Sequence, residues 1–181
     1  GEDLYEMGRK PEPPPDGKPL PPRSFPESAL YYQRPMLEDG AIEYDFYYEA
    51  DKSLVHPMLD RLVFLLEPDG VKLHWLTDGA ADKSGVAFDN AKDEPACRRG
   101  PAKLPLKEKA WNRLRLEVAG DTVKVSLNGT EVYERAIEAT NQRLFGLFHY
   151  TDRTAARVRS MTYSGDWGTT LPSNDKLFEK K

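Results

Sequence analysis

Residues 41–48 alternate between apolar and polar side chains: Ile42, Tyr44, Phe46 and Tyr48 fall on one face, and Glu43, Asp45 and Tyr47 on the other. An extended strand sends successive side chains to opposite faces, so a period of two predicts a strand with one buried face. Residues 61–66 are an apolar run that ends at Glu67-Pro68-Asp69-Gly70, a tight-turn signal. Val71, Leu73 and Trp75 then alternate with Lys72 and His74, and the two runs predict a hairpin. In residues 111–118, Leu114, Leu116 and Val118 alternate with Arg113, Arg115 and Glu117. The chain turns at Ala119-Gly120-Asp121 and continues with Val123, Val125 and Leu127 on one face. Asn128-Gly129 predicts another hairpin, because both residues accept positive φ, and residues 132–136 complete a three-stranded meander. Residues 144–150 and 156–163 supply two more strands, and a strand near 30–33 opens the domain. Helical spacing is absent apart from one short turn within 136–142. This series predicts an all-β sandwich of two antiparallel sheets, with a small closed barrel as the alternative.

The ends read differently. Residues 1–28 carry Pro11, Pro13, Pro14, Pro15, Pro19, Pro21, Pro22 and Pro26. Proline lacks the ladder donor and fixes φ, which excludes helix and inner strand. This stretch is expected to be an extended linker or a strap over the domain, which occupies 29–172. Residues 173–181 form a charged tail.

Charge and composition narrow the function classes. The formal net charge is -4 with both signs interspersed, and no basic stripe is present to hold nucleic acid. No apolar run approaches the roughly 20 residues that span a bilayer, so no membrane insertion is expected. Residues 1–10 lack a charged-then-apolar leader, and the chain opens on Gly1, as an excised domain would. The compartment stays open, with an extracytoplasmic one favoured. Cys97 stands alone, which rules out an internal disulfide.

Residues 111–167 also carry a recognisable order. It runs Trp111-Asn112-Arg113, Gly120-Asp121-Thr122-Val123, Leu127-Asn128-Gly129, Val132-Tyr133, Leu144-Phe145-Gly146-Leu147-Phe148, Val158-Arg159-Ser160-Met161. It resembles the back half of concanavalin-A-like jelly rolls, including laminin-G-like modules and the keto-disaccharide-hydrolase type. More widely, residues 29–172 resemble an uncharacterised domain family of planctomycete bacteria. The matching stretches are residues 34–40, Asp60-Arg61-Leu62, Leu73-His74-Trp75-Leu76-Thr77-Asp78-Gly79 and residues 145–150. The resemblance implies a concanavalin-like jelly-roll fold and a leaning toward carbohydrate, with ligands held on a bowed, concave sheet face.

Alternation proposes the lining of that face: Glu43, Asp45, Tyr47, His74, His149, Arg157 and Arg159. Carboxylates, imidazoles, guanidinium groups and a flat aromatic suit sugar hydroxyls. The plain alternative is the wet side of an antiparallel sheet. If the protein is an enzyme, Glu43 and Asp45 are the candidate catalytic pair. Their Cα atoms are about 6.6–6.8 Å apart along a strand, which suits paired carboxyl chemistry. The three histidines lack close-spaced partners, so no zinc site is predicted. Asp78, Asp82, Asp89, Asn90 and Asp93 fall in one long loop, 78–104, and are candidates for structural calcium. No other cofactor is expected. The loop is expected to fold over one end of the sandwich and shape the mouth of the concave face. Cys97 reads as a small apolar side chain rather than a nucleophile. Asn128-Gly129-Thr130 fits a glycosylation sequon, but the turn already explains it.

Three functions are consistent with these features. The first is a non-catalytic carbohydrate- or ligand-binding module of a larger protein, whose partners are an oligosaccharide or polysaccharide and the neighbouring domains. The second is a glycan-processing enzyme using Glu43 and Asp45. The third is a structural or protein-interaction domain.

Overall fold

The computed structural model describes residues 4–7, 27–32, 35–36, 39–78, 82–87 and 89–165. Among these, twelve strands form two six-stranded sheets whose ladders run antiparallel. The strands are β1 (Leu4–Met7), β2 (Glu27–Tyr31), β3 (Gly40–Tyr48), β4 (His56–Leu59), β5 (Leu62–Glu67) and β6 (Gly70–Trp75). They continue with β7 (Lys92–Asp93), β8 (Ala110–Ala119), β9 (Thr122–Leu127), β10 (Thr130–Ala136), β11 (Phe145–Tyr150) and β12 (Ala156–Gly165). The first sheet has the order β1-β12-β3-β8-β9-β10, and the second β2-β11-β4-β5-β6-β7. The architecture is a jelly-roll sandwich of the concanavalin-like type.

The period of two does what the sequence requires of it. Ile42, Tyr44, Phe46 and Tyr48 of β3 are buried, as are Leu114, Leu116 and Val118 of β8 and Val123, Val125 and Leu127 of β9. They meet Leu59, Leu62, Phe64, Leu66, Val71, Leu73, Phe145 and Leu147 of the second sheet in one continuous core. Each such side chain contributes about 1.5–3 kcal/mol by leaving water. Two-residue turns set the registers. Leu127 pairs with Thr130 across Asn128 (φ 51°) and Gly129 (φ 82°), and Glu67 pairs with Gly70 across Pro68-Asp69. Gly70 has φ 137°, and the Arg98 guanidinium occupies the space that a Cβ would need there.

Several elements differ from expectation. β4 was not expected, because it has four residues and includes Pro57, yet it lies between β11 and β5. Its hairpin to β5 turns at Asp60-Arg61, with Asp60 at φ 55°. β1 lies inside the stretch 1–28 expected to be linker or strap, and pairs with β12 at the sheet edge. β2 begins at Glu27 and ends at Tyr31, earlier than the strand expected near 30–33. The rest of the proline-rich stretch and the 173–181 tail lie outside the described residues. Within loop 78–104, β7 extends the second sheet beside β6, and a 3-10 turn spans Pro95–Cys97. The Arg99 N–H donates to the Val132 carbonyl at 2.9 Å, and Arg98 bridges to Tyr133. This part of the loop therefore ties the β7 edge of the second sheet to the β10 edge of the first, closing a side of the sandwich.

The second sheet is buried on its outer side as well. Met58, Val63, Leu65, Phe148 and Tyr150 form a separate buried cluster, with Tyr31 and Leu76 packed against it. The unbroken apolar run in β5 follows from this: every residue from Leu62 to Leu66 is buried.

Candidate functional site

Residues 43, 45 and 47 project from β3 to the outer face of the first sheet, opposite its buried set. The register fixes their neighbours. Asp45 stands opposite Arg113 and Glu43 opposite Arg115 on β8, while Arg159 of β12 stands opposite Asp45 from the other side. Arg113 donates through Nη2 to Glu43 Oε2 at 2.7 Å and through Nη1 to Asp45 Oδ1 at 3.1 Å. Arg115 donates to Glu43 Oε1 at 2.7 Å and to Glu117 at 2.8 Å and 3.0 Å. Glu43 is therefore held by two guanidinium groups, and those hydrogen bonds keep its carboxyl below the usual carboxylate range.

An aromatic strip borders this ladder. Tyr47 and Trp111 meet edge to face with ring centroids 5.7 Å apart. The Arg159 guanidinium lies 4.2 Å from the Trp111 centroid, and that of Arg157 lies 5.9 Å from Tyr47. At Ser160 (φ 53°) a bulge shifts the β12–β3 register between Arg159 and Thr162. A bulge bends its strand and re-aims the side chains beside it.

Five of the seven predicted ligand residues thus share one surface: Glu43, Asp45, Tyr47, Arg157 and Arg159. The two histidines do not join them, which corrects the expected groove. His74 belongs to the second sheet and is fully buried. Its Nδ1 lies 2.6 Å from the Asn90 carbonyl and its Nε2 3.0 Å from Glu27 Oε1. A carbonyl accepts only from N–H, so Nδ1 is the donor in the first of these contacts. His149 is also fully buried, at an inward position of β11, with Nδ1 at 2.9 Å from the Thr154 carbonyl. Period-two counting puts a residue on a face but does not say which sheet owns the face or whether something covers it.

The calcium candidates are not gathered into a cage. Asp78 pairs with Arg61 at 3.1 Å. Asp82 accepts the Asp78 and Ser84 N–H groups. Asn90 is committed to the Trp75 backbone, and Asp93 pairs with Arg98 at 3.0 Å, while Asp89 is exposed. Among the described residues no three His, Cys, Asp or Glu side chains are grouped to hold a metal. Cys97 packs against the core, as a small apolar side chain does.

Trp111, Arg113 and Arg115 were not among the predicted site residues. Alternation had placed Arg113 and Arg115 outward, but their role follows from the β3–β8 register, and a sequence does not print which strands are neighbours.

Two antiparallel sheets with this order and packing define the lectin-like jelly-roll class. Residues 21–170 match the model of a family described as a domain of unknown function, DUF1583_N, and the chain belongs to that family. Among solved structures it is similar to the carbohydrate binding module CBM66 from Bacillus subtilis, at 20% identity and a TM-score of 0.52, covering 79% of this chain and 84% of that one. It is also similar to the exoplasmic/lumenal domain of VIP36, solved in a Ca2+/Man3GlcNAc-bound form, at 11% identity and a TM-score of 0.50, covering 81% and 79%. At these identities the likeness is one of fold. A search of curated protein sequences finds no significant match.

Proposed function

We propose that this chain is a non-catalytic carbohydrate-binding module of a larger protein, with its ligand surface on the outer face of the first sheet. The observation that carries this reading is the convergence of Glu43, Asp45, Tyr47, Arg157 and Arg159 with Trp111 into one ordered, part-exposed array. Planar carboxylates and guanidinium groups match pairs of sugar hydroxyls, and aromatic ring faces match the apolar face of a pyranose ring. The array is held by its own hydrogen bonds, so little side-chain entropy is lost on binding. The outer face of the second sheet offers less, because Met58, Val63, Leu65 and Phe148 are already buried there. The two similar solved structures, a carbohydrate-binding module and a glycan-bound domain, support the same class.

The electrostatics disfavour Glu43 as the general acid of a glycosidase. Glycosidases keep one carboxylic acid protonated near neutral pH, by environments that raise its pKa. Arg113 and Arg115 do the reverse to Glu43.

A glycan array followed by calorimetry tests the reading. Saccharide binding is expected, with affinity at least tenfold weaker in Asp45→Asn/Trp111→Ala and no turnover of the bound glycan. Absence of binding across the array favours the structural or protein-interaction alternative. Turnover that disappears in Glu43→Gln establishes the glycan-processing one.

A further inference from the structure

A groove at the opposite side of the molecule is left unexplained by that surface. Two adjoining hollows of about 520 Å³ and 610 Å³ share Arg61, Leu76, Thr77 and Asp78 as walls. The first extends to Glu27 and Tyr31, the second to Trp75 and Asp82. Both volumes lie within the range of small-ligand sites, roughly 300–1,000 Å³. The walls come from the β4–β5 turn, one face of β2, the end of β6 and the segment that follows it. Two sequence stretches singled out above, Asp60-Arg61-Leu62 and Leu73 to Gly79, supply Arg61, Trp75, Thr77 and Asp78 to it.

Its side chains are fixed in place. Arg61 donates through Nε and Nη2 to the Leu76 carbonyl, at 3.1 Å and 2.7 Å. The Asn90 amide clasps Trp75 through both backbone groups, at 2.9 Å each. That leaves Trp75 36% exposed at the rim, an unusual place for an indole with a rigid backbone. Glu27 is anchored by His74 through one oxygen, and its other oxygen faces the Thr77 hydroxyl at 3.4 Å.

The charge balance decides the ligand class. Arg61 is already paired with Asp78 and lies 4.0 Å from Asp82. Lys83 lines the second hollow as well, so two cations, Arg61 and Lys83, stand with two carboxylates, Asp78 and Asp82, and no net charge there selects an anion or a metal ion. What remains is an apolar indole plate beside polar groups that can accept and donate further hydrogen bonds. That combination fits an uncharged polyhydroxylated ring.

We propose that this groove is a second saccharide-binding site, for a short neutral oligosaccharide stacked on Trp75 and hydrogen-bonded by Thr77, Asp78 and Glu27. It is separate from the first-sheet surface and stands or falls without it. Tryptophan indole N–H resonances of the intact chain distinguish the two, because Trp75 reports the groove and Trp111 the first sheet. The two signals are assigned with Trp75→Phe and Trp111→Phe. The titrants are cellohexaose, xylohexaose, mannohexaose and laminarihexaose.

The expected result is a saturable shift of the Trp75 signal with at least one of these sugars, with Kd, measured by calorimetry, rising at least tenfold in Trp75→Ala and in Asp78→Asn. Both sites stand if the Trp111 signal also saturates. A shift confined to Trp111 overturns the groove and leaves the first-sheet reading intact. A panel that moves neither signal overturns the groove. Unchanged affinity in Trp75→Ala, with the variant folded by circular dichroism, overturns it as well.

Discussion

His56 is buried with its Nδ1 accepting the Leu66 N–H at 2.9 Å, and burial drives its pKa down to about 3. His149, also buried, is lowered for the same first reason. In the unfolded chain an imidazole titrates near 6.5. As pH falls below that value the unfolded state takes up protons that the folded state refuses. The associated stability is complete above pH 6.5 and is lost progressively toward pH 3, at about 1.4 kcal/mol per pH unit for His56 alone. Chemical denaturation at pH 7.5 and 5.5 is expected to show a drop of at least about 1.4 kcal/mol in the parent. In His56→Asn, whose amide can still accept the Leu66 N–H, the drop is expected to shrink. Equal slopes in the two proteins would exclude a neutral, acid-sensitive His56. At the same scale, the Glu43 carboxyl is governed by two cross-strand arginines, and its chemistry is read from its partners rather than its identity.

Strand pairing raises a different constraint, illustrated by two glycines. Gly129 sits at φ 82° in the β9–β10 turn with open space where a Cβ would go, so Gly129→Ala carries only the left-handed penalty, about 1–2 kcal/mol. Gly146 lies in β11, where a Cβ would come within 2.7 Å of Met58 Cγ and 3.2 Å of the Leu30 carbonyl. Met58 can yield, but the carbonyl belongs to the adjoining β2 strand and cannot. Gly146→Ala is expected to cost about 1–3 kcal/mol as an overpacking defect. Its hydrogen-exchange signature should be local: faster exchange along β2 and β11, with β8 and β9 unaffected. Uniform loss of protection would refute that assignment. The hairpin turns were legible because Asn-Gly and Pro-Asp-Gly are chemical requirements of the backbone. β4 was not, since a four-residue strand containing Pro57 is too short to show a period.

Across the whole molecule one core joins the two sheets, so they are expected to unfold as one cooperative unit. Phe64 of β5 and Tyr133 of β10 meet edge to face between the sheets, with centroids 5.9 Å apart. Tyr133 also donates its hydroxyl to Glu94 at 2.9 Å, which ties the 78–104 segment into the same contact. Phe64→Ala leaves a cavity at this junction and is expected to cost about 3–5 kcal/mol. For a domain of ordinary stability, about 5–15 kcal/mol, that is a large fraction, and the melting transition should fall while remaining single. Separate melting of the two sheets would show that they are not one unit.

The sequence by itself determined the all-β class, most strand positions and the identity of the core face. Alternation reflects the backbone's own geometry, and burial of Ile42, Phe46, Leu116 and Val125 follows from it. It also put Glu43, Asp45, Tyr47, Arg157 and Arg159 on outward positions. Tertiary structure decided which of these become neighbours. Register set Asp45 between Arg113 and Arg159, sheet order took His74 to the other layer, and burial closed over both histidines. It also brought Glu27 and Tyr31 of β2 to the same groove as Arg61 and Asp78, which flank the β5–β6 hairpin. The physical reason is range: a strand's facing is fixed by the residue next to it, while a site is fixed by strands as far apart in the chain as those that carry Asp45 and Arg159.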